Sequence, residues 1–246
     1  MAKWLDGQVI ENKRWTDTLH SLRVKADIAP FEAGQFTRLA LDVDGEEISR
    51  PFSLVNAPDD PILDFYFIKV PGGVLSTRLA GLEPGDPIRV AAKAAGLLTL
   101  KQLAPASKLF LIATGTGIGP FLSIIKTAAV WQQFEQVSMV HAVRFAAELS
   151  YQETIAAVGK AQPDRFHYQP IVSREASPQA LRGRIPQLIE DQQLENALGV
   201  TIDKDCQVLL CGNPAMVQDT TDVLLARGLT RHSRREAGHI SIEKYW

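Results

Sequence analysis

The chain has almost no cysteine: Cys206 and Cys211 are the two in 246 residues. Two thiols cannot ligate an iron–sulfur cluster or a structural zinc within this chain. They stand in what reads as one strand, on opposite faces and too far apart for a disulfide. A reducing, cytoplasmic setting is the expectation. The five histidines are scattered, and no Ser-His-Asp or metal-ligand spacing accompanies them, so no metal site is expected. Charge of one sign is missing too: 26 Lys and Arg face 28 Asp and Glu, a net charge of −2, which gives no pull toward nucleic acid. The uncharged stretch between Lys108 and Lys126 falls just short of the ~20 residues that a membrane span needs, and Thr and Gly occupy its centre. No integral membrane segment is expected. The first residues, MAKWLDGQVI, have no apolar h-region and do not read as a signal peptide. No repeat or low-complexity segment interrupts the chain.

The length allows one large domain or two small ones, with ample core. Residues 1–102 read as β-rich. Strands are expected over 9–13, 19–24, 34–43, 46–54, 62–70 and 88–92, with Asp44-Gly45 as a hairpin turn and one short helix over 76–82. Short strands at this spacing suggest a small antiparallel barrel. Residues 103–246 change character. Strands over 109–113, 137–143, 166–172 and 207–211 alternate with helices over 121–134, 151–160, 185–197 and 216–227, and 240–242 adds a last strand. That alternation is the pattern of a parallel sheet flanked by helices.

The organising stretch is Lys108–Lys126, KLFLIATGTGIGPFLSIIK. It reads as strand, glycine turn, helix. Such a turn leaves unpaired N–H groups at a helix N-terminus, where the dipole favours an anion. Its glycines permit a sharp bend and close approach. A purely structural glycine turn fits the same letters.

Three further motifs carry chemistry. Arg50-Pro51-Phe52-Ser53 ends a strand. The proline holds Arg50 extended, the guanidinium suits phosphate, Phe52 offers a ring face and Ser53 a hydroxyl. A surface arginine beside a core phenylalanine would look the same. Gly73-Val74-Leu75-Ser76 enters a helix, which Ser76 could cap or prepare for a phosphate. Cys211-Gly212-Asn213-Pro214 ends a strand before a helix, with Cys211 also readable as a small buried hydrophobe.

Taken together, the two-part order, RPFS at 50–53, GVLS at 73–76, TGTGIGP at 114–120, CGNP at 211–214 and the terminal EKYW resemble bacterial ferredoxin–NADP reductases over essentially the whole chain. The subgroup it resembles most ends in an aromatic pair and works with ferredoxin and flavodoxin. That family usually has Arg-x-Tyr-Ser at the first motif, so Phe52 keeps the ring and loses the phenol. The resemblance implies an antiparallel FAD-binding barrel followed by a parallel-sheet NADP-binding α/β domain. It places Arg50 on the pyrophosphate, Pro51 and Phe52 against the flavin region, and Ser53 near the ring. The backbone of Phe67, Ile68 and Lys69 would hold FAD, with Val74, Leu75 and Ser76 at its phosphates. Thr116 looks shared between the two nucleotides. Cys211, Gly212, Asn213 and Pro214 would border the nicotinamide. Tyr245 would cover the flavin and Trp246 the adenine of FAD.

Coenzyme choice follows from strand ends. An NAD-binding fold usually carries an acid after its second strand, whereas arginine accommodates a 2′-phosphate. Here that strand ends in Val143-Arg144. Ser173-Arg174 and Arg184 resemble the second and third phosphate contacts. The expected enzyme moves hydride between NADP(H) and FAD, and single electrons between FAD and ferredoxin or flavodoxin. Ser53, Cys211, Glu243 and Tyr245 are its candidates for positioning and tuning the reaction. An oxygenase-reductase component, a free-flavin reductase and a non-enzymatic FAD module remain the alternatives. A monomer is expected, and the basic cluster Arg231, His232, Arg234 and Arg235 is a candidate for steering an acidic carrier.

Overall fold

A computed structural model describes residues 3–233 and 235–244. The chain divides into two compact units, residues 1–99 with 119–127, and residues 100–118 with 128–246.

The first unit is built on β1 (Trp4–Arg14), β2 (Leu19–Lys25), β3 (Phe36–Val43), β4 (Glu46–Ser53), β5 (Ile62–Ile68) and β6 (Pro87–Ala91). They form a six-stranded sheet in the order β4-β3-β6-β1-β2-β5, antiparallel at every pairing. A bridge from Leu54 to Phe65 joins the two outer strands, so the sheet curls back on itself. The apolar members of each alternating strand turn inward: Leu22, Leu39, Phe65 and Val90 are fully buried together. Asp44 and Gly45 both take positive φ, 55° and 87°. This is the left-handed pair that a two-residue hairpin needs. The helix α1 (Val74–Ala80) starts two residues before the expected 76.

The second unit carries β7 (Lys108–Thr114), β8 (Gln136–Val143), β9 (Phe166–Val172), β10 (Cys206–Gly212) and β11 (Ile240–Lys244). All pairings are parallel, in the order β11-β10-β7-β8-β9. Every residue of β10 is buried, as continuous apolar runs in a covered parallel sheet require. One face packs against α5 (Ile185–Glu190), α6 (Gln193–Leu198) and α7 (Pro214–Ala226) through Phe110, Val208, Leu210, Leu188, Leu194 and Leu224.

Two long helices expected from periodicity are each broken in two. Residues 121–134 form α2 (Gly119–Ile125) and α3 (Ala128–Gln133). Thr127 closes α2 by donating from both its amide and its hydroxyl to the Ile124 carbonyl. Ser123 Oγ donates to Asn56 O at 2.6 Å and Lys126 Nζ to Val55 O at 2.9 Å, which ties α2 to the first unit. Residues 185–197 form α5 and α6, parted where Gln192 adopts φ 59°. The α4 helix (Gln152–Ala161) matches its expected span within a residue.

Candidate functional site

The strand order reverses direction between β7 and β10, and ligands in open α/β sheets bind outside the carboxyl ends of the strands at such a switch point. The glycine turn and the CGNP motif are the two segments that leave those ends. After Thr114 the chain makes one 3₁₀ turn, Gly115–Ile118, and then enters α2. A Cβ on Gly117 would sit 2.6 Å from the Cys211 carbonyl oxygen and 2.8 Å from the Gly212 Cα. A Cβ on Gly212, at φ +131°, would sit 2.3 Å from Thr114 Oγ1. The two loops therefore touch backbone to backbone, and only glycine permits it at either position. Thr114 Oγ1 accepts from the Asn213 N–H at 2.9 Å, and Asn213 Oδ1 accepts from Ala215 and Met216 at the start of α7. Thr116 is buried.

His141 anchors this turn, and sequence reading passed over it as one of five scattered histidines. It lies on β8, fully buried, with Nε2 3.0 Å from the Gly115 carbonyl oxygen. That carbonyl can only accept, so Nε2 carries the hydrogen and Nδ1 is bare; Nδ1 has no partner. Burial pushes the imidazole pKa down to about 4, which keeps the ring neutral. The detectable signal was a histidine inside a mostly apolar strand, VSMVHAV.

Parallel register sets Glu243, Cys211, Ala113 and His141 in one row across β11, β10, β7 and β8. Burial raises the Glu243 carboxyl to about 7. Cys211 is fully buried and forms no disulfide. Cys206, on the opposite face of β10, has its thiol pushed up to about 12 by burial and by Asp203, which makes it unreactive at neutral pH.

Val143 closes β8 and is buried, and Arg144 follows it on the surface. Ser173 and Arg174 follow β9, both exposed; Arg184 precedes α5, also exposed. Among the described residues, no carboxylate pairs with these three guanidinium groups. Arg174 instead lies 5.9 Å from the Phe145 ring centroid, within cation–π range.

In the first unit, Arg50 stands exposed on β4, with Nη1 donating to the Ser49 carbonyl at 2.8 Å. Pro51 is exposed and Ser53 is buried. Phe52 meets Phe67 edge to face at 6.0 Å between centroids. Ile68 and Lys69 are exposed at the end of β5, and the Lys69 amide is already spent on the Thr18 carbonyl. Ser76 is not the N-cap of α1. Its Oγ accepts from the Val70 N–H at 3.0 Å and so ties down the Pro71-Gly72-Gly73 turn. Leu75 points into the core and Val74 is exposed, so Leu75 can offer a ligand only backbone. Tyr245, Trp246 and Arg234 lie outside the described residues.

These features fit two nucleotides. The first unit offers a guanidinium with no carboxylate partner among the described residues, an aromatic face and first-turn N–H groups of α1. The second offers a glycine-only cradle at a switch point and arginines without acidic partners.

Comparison with known proteins agrees. Residues 111–222 match a family model described as an oxidoreductase NAD-binding domain. The chain is 46% identical to a flavodoxin/ferredoxin–NADP reductase of Shigella flexneri, with all of both chains covered. It is 34% identical to a ferredoxin–NADP reductase of Pseudomonas aeruginosa, covering 99% of this chain and 98% of the relative. The fold superposes on the crystal structure of a ferredoxin NADP+ reductase from Neisseria gonorrhoeae with bound FAD and NADP. The TM-score there is 0.92 at 31% identity, with 99% of each chain covered.

Proposed function

The chain belongs to the flavodoxin/ferredoxin–NADP reductase family, and from that premise we propose that it is an FAD-containing enzyme that exchanges hydride with NADP(H) and single electrons with ferredoxin or flavodoxin. The observation that carries this reading is the pair Arg144 and Arg174, charged, exposed and unclaimed by any described carboxylate, directly after β8 and β9. A dianionic 2′-phosphate is the ligand chemistry that such a pair suits. Arg184 stands as a third contact.

Bound FAD supplies the conversion between two-electron and one-electron chemistry. The protein's own groups bind and orient. We assign residues 1–102 to FAD and 103–246 to NADP(H). Arg50 neutralises pyrophosphate charge. The Phe52 ring, braced edge-on by Phe67, covers isoalloxazine, and the Ser53 hydroxyl lies in hydrogen-bonding reach of it. Backbone of Phe67 and Ile68, and the first turn of α1 from Val74 to Ser76, complete the FAD side. Gly117 and Gly212 let the two loops that would hold the coenzyme pack backbone to backbone, with Thr116 on the first loop and Asn213 and Pro214 on the second. Glu243, with its pKa near 7, can hold or release a proton close to neutral pH. Cys211 is a packing neighbour of the nicotinamide rather than a nucleophile. Tyr245 and Trp246 act as ring covers for the flavin and its adenine.

The acidic carrier is steered by the basic cluster of Arg231, Arg234 and Arg235, with His232 among them. No helix among the described residues is long and apolar enough to cross a membrane. We read the enzyme as a cytoplasmic monomer; Cys206 and Cys211, neither in a disulfide, support a reducing compartment.

The test is a visible spectrum of purified protein before and after anaerobic NADPH. A flavin spectrum that bleaches, followed by cytochrome reduction that depends on added ferredoxin or flavodoxin, is expected. Folded, colourless protein that fails to take up FAD overturns the proposal. Bleaching with carrier-independent reduction would make it a free-flavin reductase instead.

A further inference from the structure

The loops after β8 and β9 each carry an acid beside the proposed phosphate-binding arginine: Glu148 and Glu175. Left free, two carboxylates here would pair with Arg144 and Arg174 and repel a phosphate. The structure gives them another occupation. Glu148 Oε2 accepts from the backbone N–H groups of Arg144 at 2.8 Å and Phe145 at 3.1 Å. Glu175 Oε1 accepts from the Ala146 N–H at 2.6 Å, reaching from the β9 loop into the β8 loop. Backbone bonds complete the join. Ser173 N–H donates to the Val143 carbonyl and Arg174 N–H to the Arg144 carbonyl, each at 3.0 Å. Ser173 Oγ donates to Val143 O at 3.2 Å.

We propose that Glu175 is a coenzyme-specificity residue: its carboxylate fastens the Arg174 loop to the Arg144 loop and so presents both guanidinium groups, unpaired, to one phosphate. Two charges on separate loops bind a single dianion well only when their spacing is held in advance; otherwise each must be ordered on binding. A carboxylate satisfied by an N–H in a charge-assisted bond is also a poorer competitor for a neighbouring guanidinium. Glu175 acts through the arginines and touches no ligand. It is a positioning residue, and Glu148 plays the same part within its own loop.

The proposal deepens the assignment of Arg144 and Arg174 to a 2′-phosphate and rests on it. It also makes a prediction opposite to simple electrostatics. Removing a negative charge beside a phosphate site tightens phosphate binding if the charge is all that matters. Removing the clasp loosens it.

The experiment measures inhibition of the full-length FAD-loaded enzyme by adenosine 2′,5′-bisphosphate and by 5′-AMP, in wild type, Glu175→Ala and Glu175→Gln. Wild type should prefer the bisphosphate. Glu175→Ala should raise the bisphosphate Ki roughly tenfold or more, the loss of about one charge-assisted hydrogen bond, and leave the 5′-AMP Ki where it was. Glu175→Gln keeps an acceptor and should recover most of the lost affinity. Flavin content and Tm of both variants confirm folding. Unchanged or tighter bisphosphate binding in Glu175→Ala, or equal losses in both variants, overturns the clasp while leaving the arginine assignment standing. Wild type that does not distinguish the two inhibitors overturns the arginine assignment itself, and the clasp with it.

Discussion

Cys211 and Glu243 are register partners across β10 and β11, neighbours in adjacent parallel strands although 32 residues separate them in the chain. The pairing sets the half-buried Glu243 in the row of the fully buried Cys211. Burial of the carboxyl is the cause of the raised Glu243 pKa, about 7. The stability of the protein should report the proton held there.

The first prediction concerns that proton. Folded Glu243 retains a proton that the unfolded chain gives up near 4.5, so this group's contribution to stability falls as pH rises from about 4.5 to 7. Glu243→Gln should remove that component and be more stable than wild type, relatively, at pH 8 than at pH 5. Urea midpoints at the two pH values measure it. If Glu243 also serves the reaction, the variant's pH–rate profile loses an inflection near 7.

His141 should give the opposite slope. Its folded pKa lies near 4, below the ordinary 6.5, so the unfolded chain takes up a proton that the native state refuses. Stability is therefore lost as pH falls from about 6.5 toward 4. His141→Leu should flatten this limb. It should also release the Gly115 carbonyl and raise the NADPH KM severalfold, at roughly one hydrogen bond's worth of affinity. His141→Gln, whose amide can donate to the same carbonyl, should restore most of the KM. Steady-state kinetics at pH 7.5 separate the variants.

Gly117 and Gly159 should respond in opposite directions to the same substitution. A Cβ at 117 meets Cys211 and Gly212 backbone under 3 Å; neither can move aside without displacing β10. Gly117→Ala should cost about 1–3 kcal/mol and weaken coenzyme binding. In α4, a Cβ at 159 meets only Phe166 Cδ1 at 3.9 Å, an ordinary contact. Gly159→Ala should stabilise by up to ~1 kcal/mol through helix propensity. Thermal denaturation of both variants decides it.

The arginine pair makes the fourth prediction. Arg144→Ala with Arg174→Ala should raise the NADPH KM roughly tenfold or more and shift the NADH value by less than about twofold, since only one coenzyme carries the 2′-phosphate. Equal losses for both coenzymes would place the arginines elsewhere.

Much of the fold could be read directly. The β8 and β10 runs are apolar enough to announce covered parallel strands, and the observed ends of β8, β9 and β10 fall within a residue of expectation. Asp44-Gly45 specified its hairpin because few residue pairs tolerate positive φ twice in succession. Periodicity failed at α2 and α3. A helical pattern persists through Lys126 and Thr127, but Thr127 folds back on Ile124 while Ser123 and Lys126 bind barrel carbonyls. Those partners lie about 70 residues away in sequence, beyond any local window.

The site divides along the same line. Residue types by themselves announced a glycine turn, a strand-ending Arg-Pro-Phe-Ser and arginines after two strands, because phosphate recognition draws on few chemistries. The histidine under the turn, the acid in register with the cysteine and the carboxylates spent on neighbouring amides were invisible there. Each depends on which strand lies next to which and on how much water reaches the group. Hydrogen-bond partners across a sheet and the solvation of a buried charge are properties of the folded arrangement, and no single stretch of chain contains them.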